Sequence, residues 1–503
     1  MNKKTILILL SIIFLIGLSL RLFHLSNESL WTDEAFSLHI VESNSVTEVI
    51  EKTKVSEVVP PGYYLLLHYW VKFVGNSEFW LRLPSIIFGV LSIIVIYLLA
   101  KEMDLGSKEK TIQVALLSAF FLATSMLQVL YSQEARIYSL FSFLSLFSTL
   151  CFVKLYNGNK KVWRYIYTLS LMASLYVNYL AVLLFVGHFL GLFWNLEKKK
   201  KMFRPLLIIY SYVLVFSLPL FPVALYQYRS VGAGATQAFM NLGVPYFFAK
   251  FGLFMFALPS LFILLLALII LFRFKEKARE KMRFFQDYPT IFILMITLFD
   301  LLYLFQTGYT ILKIPIFRVP ITNSYFLIRH SLFLFSMVYI FLAFIIIYKL
   351  NNSKRILAIL LILIINISAL SIYYTTITKP QWNEAVSYVQ KQTPENPLFL
   401  MDKGGLSNTF TLEYYSQKHF GHKPKIIELT KIKERSNLLK MSKEQLYSQI
   451  GSKKEFWLML VHNKETKDHY KNILDARFTS LEIKEFSQIK LIRYKNERMD
   501  NLK

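Results

Sequence analysis

The chain has 503 residues, 55% of them hydrophobic and 16% aromatic, and a formal net charge of +25. Apolar stretches of about 20 residues recur along it, the length that crosses a ~30 Å hydrocarbon core, so the composition is that of a polytopic membrane protein. A single cysteine, Cys151, excludes an intrachain disulfide, and no DNA- or RNA-binding motif accompanies the positive charge, so no nucleic-acid partner is expected.

Lys3 and Lys4 precede an apolar run from Ile6 to Leu20 that has the outline of a secretory signal. No small-x-small cleavage site follows it and many more apolar runs do, which predicts an uncleaved first helix. Eleven spans are expected, near 5–25, 83–100, 112–130, 136–156, 162–178, 179–197, 204–224, 250–272, 289–306, 325–348 and 354–375. Lys/Arg bias orients them. "KEMDLGSKEK", "KLYNGNKKVWR", "EKKKKMFR", "RFKEKAREKMR" and "KLNNSKR" follow the even-numbered spans and read as cytoplasmic. The loops 26–82, "YSQEAR", "VNY", 225–249 and 307–324 are poor in Lys/Arg for their length and read as outward, as does everything after about residue 376. Much of the net charge is therefore positive-inside signal.

The first outward loop, 26–82, carries eight acidic residues against four basic ones. Its stretch "LWTDEAFS" sets two adjacent carboxylates, Asp33 and Glu34, just beyond the first span. Its second half, "VVPPGYYLLLHYWVKFVGNSEFWLRLPS", is aromatic and amphipathic with too many polar breaks to span, and is expected to lie along the membrane surface. Such a loop makes a cavity where a lipid head group and a water-soluble partner can meet.

The last 128 residues change character. "QWNEAVSYVQKQ" places Trp382, Ala385, Val386 and Val389 on one helical stripe, and "SKEQLYSQIG" has a capping box at Ser442 and Gln445 and a glycine stop at Gly451. "PLFLM", "PKIIEL", "EFWLMLV", "SLEIKEF" and "IKLIRY" read as strands. The expected organisation is a transmembrane domain over 1–375, including loop 26–82, followed by an extracytoplasmic α/β domain over 376–503.

The order of "DE", "PPGYYLLLHYW", "WLRLPSIIFGVLSIIVIY" and "YSQEARIYSL" after a first span resembles the membrane glycosyltransferases of the GT-C superfamily. More narrowly it is similar to the bacterial relatives of protein O-mannosyltransferases and lipid A aminoarabinose transferases, the glycosyltransferase family 39 type. "SYFLIRHSLF", at 324–333, is similar to an arginine-aromatic segment that those proteins carry late in the chain. The resemblance covers residues 5–200 well and 320–500 loosely. It implies a bacterial plasma-membrane enzyme that moves a sugar from a polyprenyl-phosphate carrier to an acceptor hydroxyl, the acceptor being a protein, a wall polymer or a glycolipid.

Such a transfer needs a base for the acceptor's proton and positive charge on the departing phosphate. A carboxylate at the membrane face suits the first task, because partial desolvation increases its proton affinity. No general acid is required, since the leaving phosphate departs already ionised. The resemblance puts Asp33 at the family's catalytic acidic position, with Glu34 orienting the acceptor or binding a divalent cation. The same two acids would also favour the positive end of a helix dipole, so a plain helix start is the competing reading.

For "QEAR", the resemblance implies that Glu134 and Arg136 hold the active-site loop or the donor phosphate, against an ion pair that merely caps helix ends. Arg329 and His330 are placed at the outer end of the tenth span, where a guanidinium can bind phosphate oxygens bidentately or simply snorkel. Pro61, Tyr63, Tyr64 and His68 belong to the expected active-site loop. Relatives often carry a basic residue or histidine before the paired prolines, where this chain has Val59; Lys72 or Arg82 stand as substitutes. "VGAGAT", 231–236, lacks a preceding strand and a Lys-Ser/Thr, so it reads as a covering loop with Tyr226, Tyr228 and Arg229 near its start. No Cys/His cluster suggests a tightly bound zinc. Two other classes compete with the enzyme: a transporter or flippase, which should show glycine- or proline-broken helices with charges at mid-membrane, and a structural or sensory membrane protein, for which Asp33 would be dispensable.

Overall fold

The structure, a computed structural model, describes residues 1–103, 105–158, 161–191, 196–227, 229, 332–377, 379–401, 408–434, 437–461 and 467–497. In chain order the first helices are α1 Lys3–Leu22, α2 Thr32–Val41, α3 Val46–Ser56, α4 Gly62–Val74, α5 Glu78–Glu102, α6 Lys108–Thr124, α7 Met126–Ser132, α8 Tyr138–Tyr156 and α9 Val162–Val177. Two compact units divide the chain. One comprises 1–23, 43–75 and 80–372; the other comprises 24–42, 76–79 and 373–503. The loop 26–82 is thus shared between the units and does not lie wholly with the helical one.

In the helical unit, apolar faces of α1, α5, α6, α8 and the helix Leu332–Lys349 meet in one core around Ile13, Ile93, Phe121, Leu150 and Phe344. α8 is buried on nearly all sides, its hydroxyl residues Ser139, Ser142, Ser145, Ser148 and Thr149 included with its apolar side chains. α1 and the helix Asn352–Thr375 instead leave Leu7, Ile12, Leu15, Ile364, Ile365 and Ile372 exposed. Contiguous apolar surface of this kind is suited to lipid contact.

Among the described residues, four helices are long and apolar enough to cross a membrane: Lys3–Leu22, Glu78–Glu102, Tyr138–Tyr156 and Asn352–Thr375. The number reaches six if the bent pairs Lys108–Thr124 with Met126–Ser132 (56°) and Lys201–Ser217 with Leu220–Gln227 (70°) each count as one span. The expected spans 250–272 and 289–306 lie outside the described residues, as does the start of 325–348. At 16 residues α9 is only about 24 Å long, short for a full crossing.

The expected continuous span 112–130 is two helices. Ser125 takes an extended conformation and caps α7 with its hydroxyl. The break leaves the carbonyls of Leu122 and Ala123 without helical partners, and buried Arg21 supplies them: its Nη2 donates to Leu122 O at 3.3 Å and its Nη1 to Ala123 O at 3.1 Å. Arg21 Nε also donates to Ser132 Oγ at 3.2 Å, while Gln133 Nε2 donates to the carbonyls of Arg21 and Phe23 at the end of α1.

The second unit is built on a five-stranded sheet in the order β2-β1-β5-β7-β6, from β1 Leu398–Met401, β2 Lys425–Glu428, β5 Glu455–Val461, β6 Thr479–Phe486 and β7 Ile489–Lys495. β1 is parallel to β2 and β5, and β7 is antiparallel to β5 and β6. β3 Thr430–Glu434 and β4 Asn437–Lys440 form a separate antiparallel pair. Phe456, Leu458, Leu460, Leu398, Leu400 and Ile492 form the core with Leu446 and Tyr470 of flanking helices. Trp382, Ala385, Val386 and Val389 are the buried stripe of the helix Trp382–Gln392, and the Ser442/Gln445 capping box opens the helix Lys443–Ile450.

Candidate functional site

The helix α2 carries the adjacent acids and belongs to the second unit. Its N-cap position is Trp31, which has no side-chain oxygen with which to cap, and Trp31 N–H donates to Glu34 Oε2 at 3.4 Å. Glu34 is fully buried, and its charge is met by Lys379 Nζ at 3.0 Å from the same oxygen. Asp33, one residue earlier in the same turn, is partly exposed. Its backbone carbonyl accepts from Ser37 Oγ at 3.0 Å.

Contacts from far along the chain hold α2 in this unit. Leu30 N–H donates to Tyr415 Oη at 2.6 Å, Thr32 Oγ1 to Asn408 Oδ1 at 3.1 Å, and Ser29 Oγ to Glu384 Oε2 at 3.3 Å. His39 stacks on Phe410 with ring centroids 3.8 Å apart. The helices Trp382–Gln392 and Asn408–Phe420 therefore cradle the start and one side of α2.

A second polar cluster lies in the helical unit. Pro60 and Pro61 separate α3 from α4, and α4 starts at Gly62, where a Cβ would lie 2.5 Å from the backbone oxygen of Tyr176 on α9. Only glycine allows that approach. Pro61, Tyr63, Tyr64 and His68 are buried, whereas Lys72 in the last turn of α4 is exposed. Glu57, at the end of α3, receives both arms of the Arg136 guanidinium, Nη1 to Oε1 at 2.8 Å and Nη2 to Oε2 at 3.4 Å. Tyr64 Oη donates to Glu57 Oε1 at 2.6 Å and accepts from Arg136 Nη1 at 3.0 Å. Burial holds the Tyr64 phenol well above its usual range; Arg136 opposes the shift and Glu57 adds to it. The hydroxyl therefore stays a donor. Glu134 is buried beside this cluster in sequence, and its carbonyl accepts from Arg136 N–H at 2.8 Å.

Asp33 and Glu34 thus fall in one unit, while Pro61, Tyr63, Tyr64, His68, Glu134 and Arg136 fall in the other. Arg329, His330 and "VGAGAT" lie outside the described residues. Arg82 is buried. Tyr226 lies under the Lys54 ammonium, 5.1 Å from ring centroid to nitrogen. Three charged residues of these clusters are not singled out by the sequence: Glu57, Lys379 and Arg21. An arginine ending an apolar helix is a usable signal for the third. The pairing of "SEVVPP" with "QEAR" offers only charge complementarity for the first, and Lys379 has no local signal.

The family described as dolichyl-phosphate-mannose-protein mannosyltransferase matches residues 58–226, a segment that contains "PPGYY" and "QEAR" but not α2. In structure, the chain is similar to the oligosaccharyltransferase of Archaeoglobus fulgidus, solved with zinc and sulfate, at 14% identity over 97% of this chain and 73% of that one, TM-score 0.51. It is also similar to ArnT from Cupriavidus metallidurans in the apo state, at 11% identity over 96% of this chain and 97% of that one, TM-score 0.51. No curated protein matches significantly in sequence. At these identities the likeness is one of fold. Together with the match over 58–226, it makes the chain similar to the membrane glycosyltransferases of the GT-C superfamily, with a helical membrane fold of that kind.

Proposed function

We propose that the protein is a membrane glycosyltransferase that moves a sugar from a polyprenyl-phosphate carrier to an acceptor hydroxyl at the outer face of a bacterial plasma membrane. The GT-C fold and the match of 58–226 to a family named for a lipid-phosphate sugar donor support the reaction class. The observation that carries the assignment of residues is the first turn of α2. Two adjacent acids there have different surroundings: Glu34 is buried against Lys379, and Asp33 is partly exposed. Unlike environments for neighbouring carboxylates are how a site separates a structural acid from a reactive one.

In this reading the acceptor oxygen attacks the anomeric carbon from the face opposite the phosphate. Asp33 takes the hydroxyl proton, the carbon–oxygen bond to the phosphate breaks, and the polyprenyl phosphate leaves with the electron pair, inverting the anomeric centre. Glu34 keeps α2 in place and so orients the base and acceptor; a divalent cation near the acids would add charge for the departing phosphate. Arg136, with its guanidinium on Glu57, holds the loop before α4, with Glu134 next to it, and Arg329 and His330 take the donor phosphate. Acceptors of protein, wall-polymer and glycolipid type, with the surrounding membrane lipids, complete the partners, and residues 376–503 form an extracytoplasmic domain.

Purified protein in detergent, supplied with labelled polyprenyl-phosphate sugars and a series of acceptors, is expected to move label to an acceptor with inversion. Movement of intact lipid-linked sugar across proteoliposomes without any glycoside formed would replace the enzyme by a flippase.

A further inference from the structure

The ion pair under α2 gives the C-terminal unit a part in the proposed transfer, an inference that rests on Asp33 being the base. Lys379 stands just after the long apolar helix Asn352–Thr375, hundreds of residues from Glu34, yet both side chains are buried: the pair is 10% and 0% exposed with nitrogen and oxygen 3.0 Å apart. A carboxylate and an ammonium are taken out of water together only at considerable cost, and the buried pair is weak evidence for stability as such. Its geometry, however, is specific. Lys379 bonds the same Glu34 oxygen that receives the Trp31 N–H, so the ammonium, the capping acid and the N-cap backbone donor before α2 form one cluster. Asp33 follows from that turn, since its backbone is fixed by the cap on one side and by the Ser37 hydroxyl on the other.

We infer that Lys379 is a positioning residue for the reaction: by neutralising Glu34 it keeps the first turn of α2 closed and holds the Asp33 carboxylate in its reactive orientation. The C-terminal unit then takes part in catalysis by setting the geometry of the base. Contacts to Tyr415, Asn408 and Glu384 also locate the helix, and they engage neutral groups at its start. A misplacement of about 1 Å at a reacting group can lower turnover by roughly 100-fold.

The test compares Lys379→Met, Lys379→Arg and Lys423→Met for kcat and donor KM per folded molecule. Lys423 pairs with Glu413 on the surface and is 69% exposed, so its loss is expected to leave turnover as in the wild type. Lys379→Met is expected to lose kcat by up to roughly 100-fold with donor KM unchanged, and Lys379→Arg to restore most of it. Wild-type kcat in Lys379→Met, or equal losses in the Met and Arg variants, would overturn the inference. Should Lys379→Met give no folded protein, Glu34→Gln/Lys379→Met leaves no unmatched charge, and its kcat is expected to be no lower than that of Glu34→Gln alone. A further fall on adding Lys379→Met would show that Lys379 does not act through Glu34. A dead Asp33→Asn beside an unaffected Lys379→Met would sink this inference alone; a fully active Asp33→Asn would sink the proposed function itself.

Discussion

Two buried ion pairs, one in each unit, use their charges differently. Glu57 in the helical unit accepts from both guanidinium arms of Arg136 and from the Tyr64 hydroxyl, so a planar fork and a phenol lock both of its oxygens. Glu34 in the other unit meets the point charge of Lys379 and a backbone N–H on a single oxygen. The fork is a fastening device: it fixes the end of α3, the start of α4 and the turn after α7 in one geometry. The ammonium is a neutralising device at a helix start, next to a second acid that remains partly exposed. Similar burial, 9% and 10% against 10% and 0%, therefore serves two ends.

Arg136→Ala leaves Glu57 buried and unmatched, which should remove about 3–5 kcal/mol of stability in the helical unit. Thermal unfolding in detergent would read it, and Arg136→Lys should recover only part because an ammonium cannot reproduce the fork. A smaller loss is expected from Tyr64→Phe, about 1–3 kcal/mol, since Glu57 keeps both arginine bonds and loses one donor. Equal losses in the arginine and tyrosine variants would show that hydrogen bonding, not charge, holds the cluster. Weaker still is the capping box of the helix Lys443–Ile450, where Ser442→Ala should lower the second unit's stability by about 0.5–2 kcal/mol without touching transfer.

Locally encoded features are legible in the sequence. The Trp382, Ala385, Val386 and Val389 stripe and the Ser442/Gln445 box follow from spacing alone, and both stand where that spacing puts them. The break at Ser125 is not legible, because residues 112–130 hold no charge, proline or glycine to mark it and the group that stabilises the break, Arg21, lies about a hundred residues away. The same holds for α2. "TDE" marks a helix start, but Tyr415, Asn408 and Lys379 decide which unit holds that helix, and nothing near residue 33 announces them. In the two polar clusters, the acids and Arg136 are visible as charges in stretches poor in Lys/Arg that flank apolar runs. Their partners Glu57 and Lys379 are not, since each looks like ordinary loop charge until folding buries it.

Whether Asp33 accepts the acceptor's proton is read from turnover of Asp33→Asn at saturating donor, normalised to folded protein. The amide preserves size and much of the hydrogen bonding but cannot take a proton. Turnover is expected to fall by about 100- to 10,000-fold with donor binding intact, with a milder loss in Glu34→Gln. Near-normal turnover in Asp33→Asn, with only the ~0.3–1 kcal/mol stability change of a lost helix-dipole contact, would contradict it and leave the two acids as the start of α2.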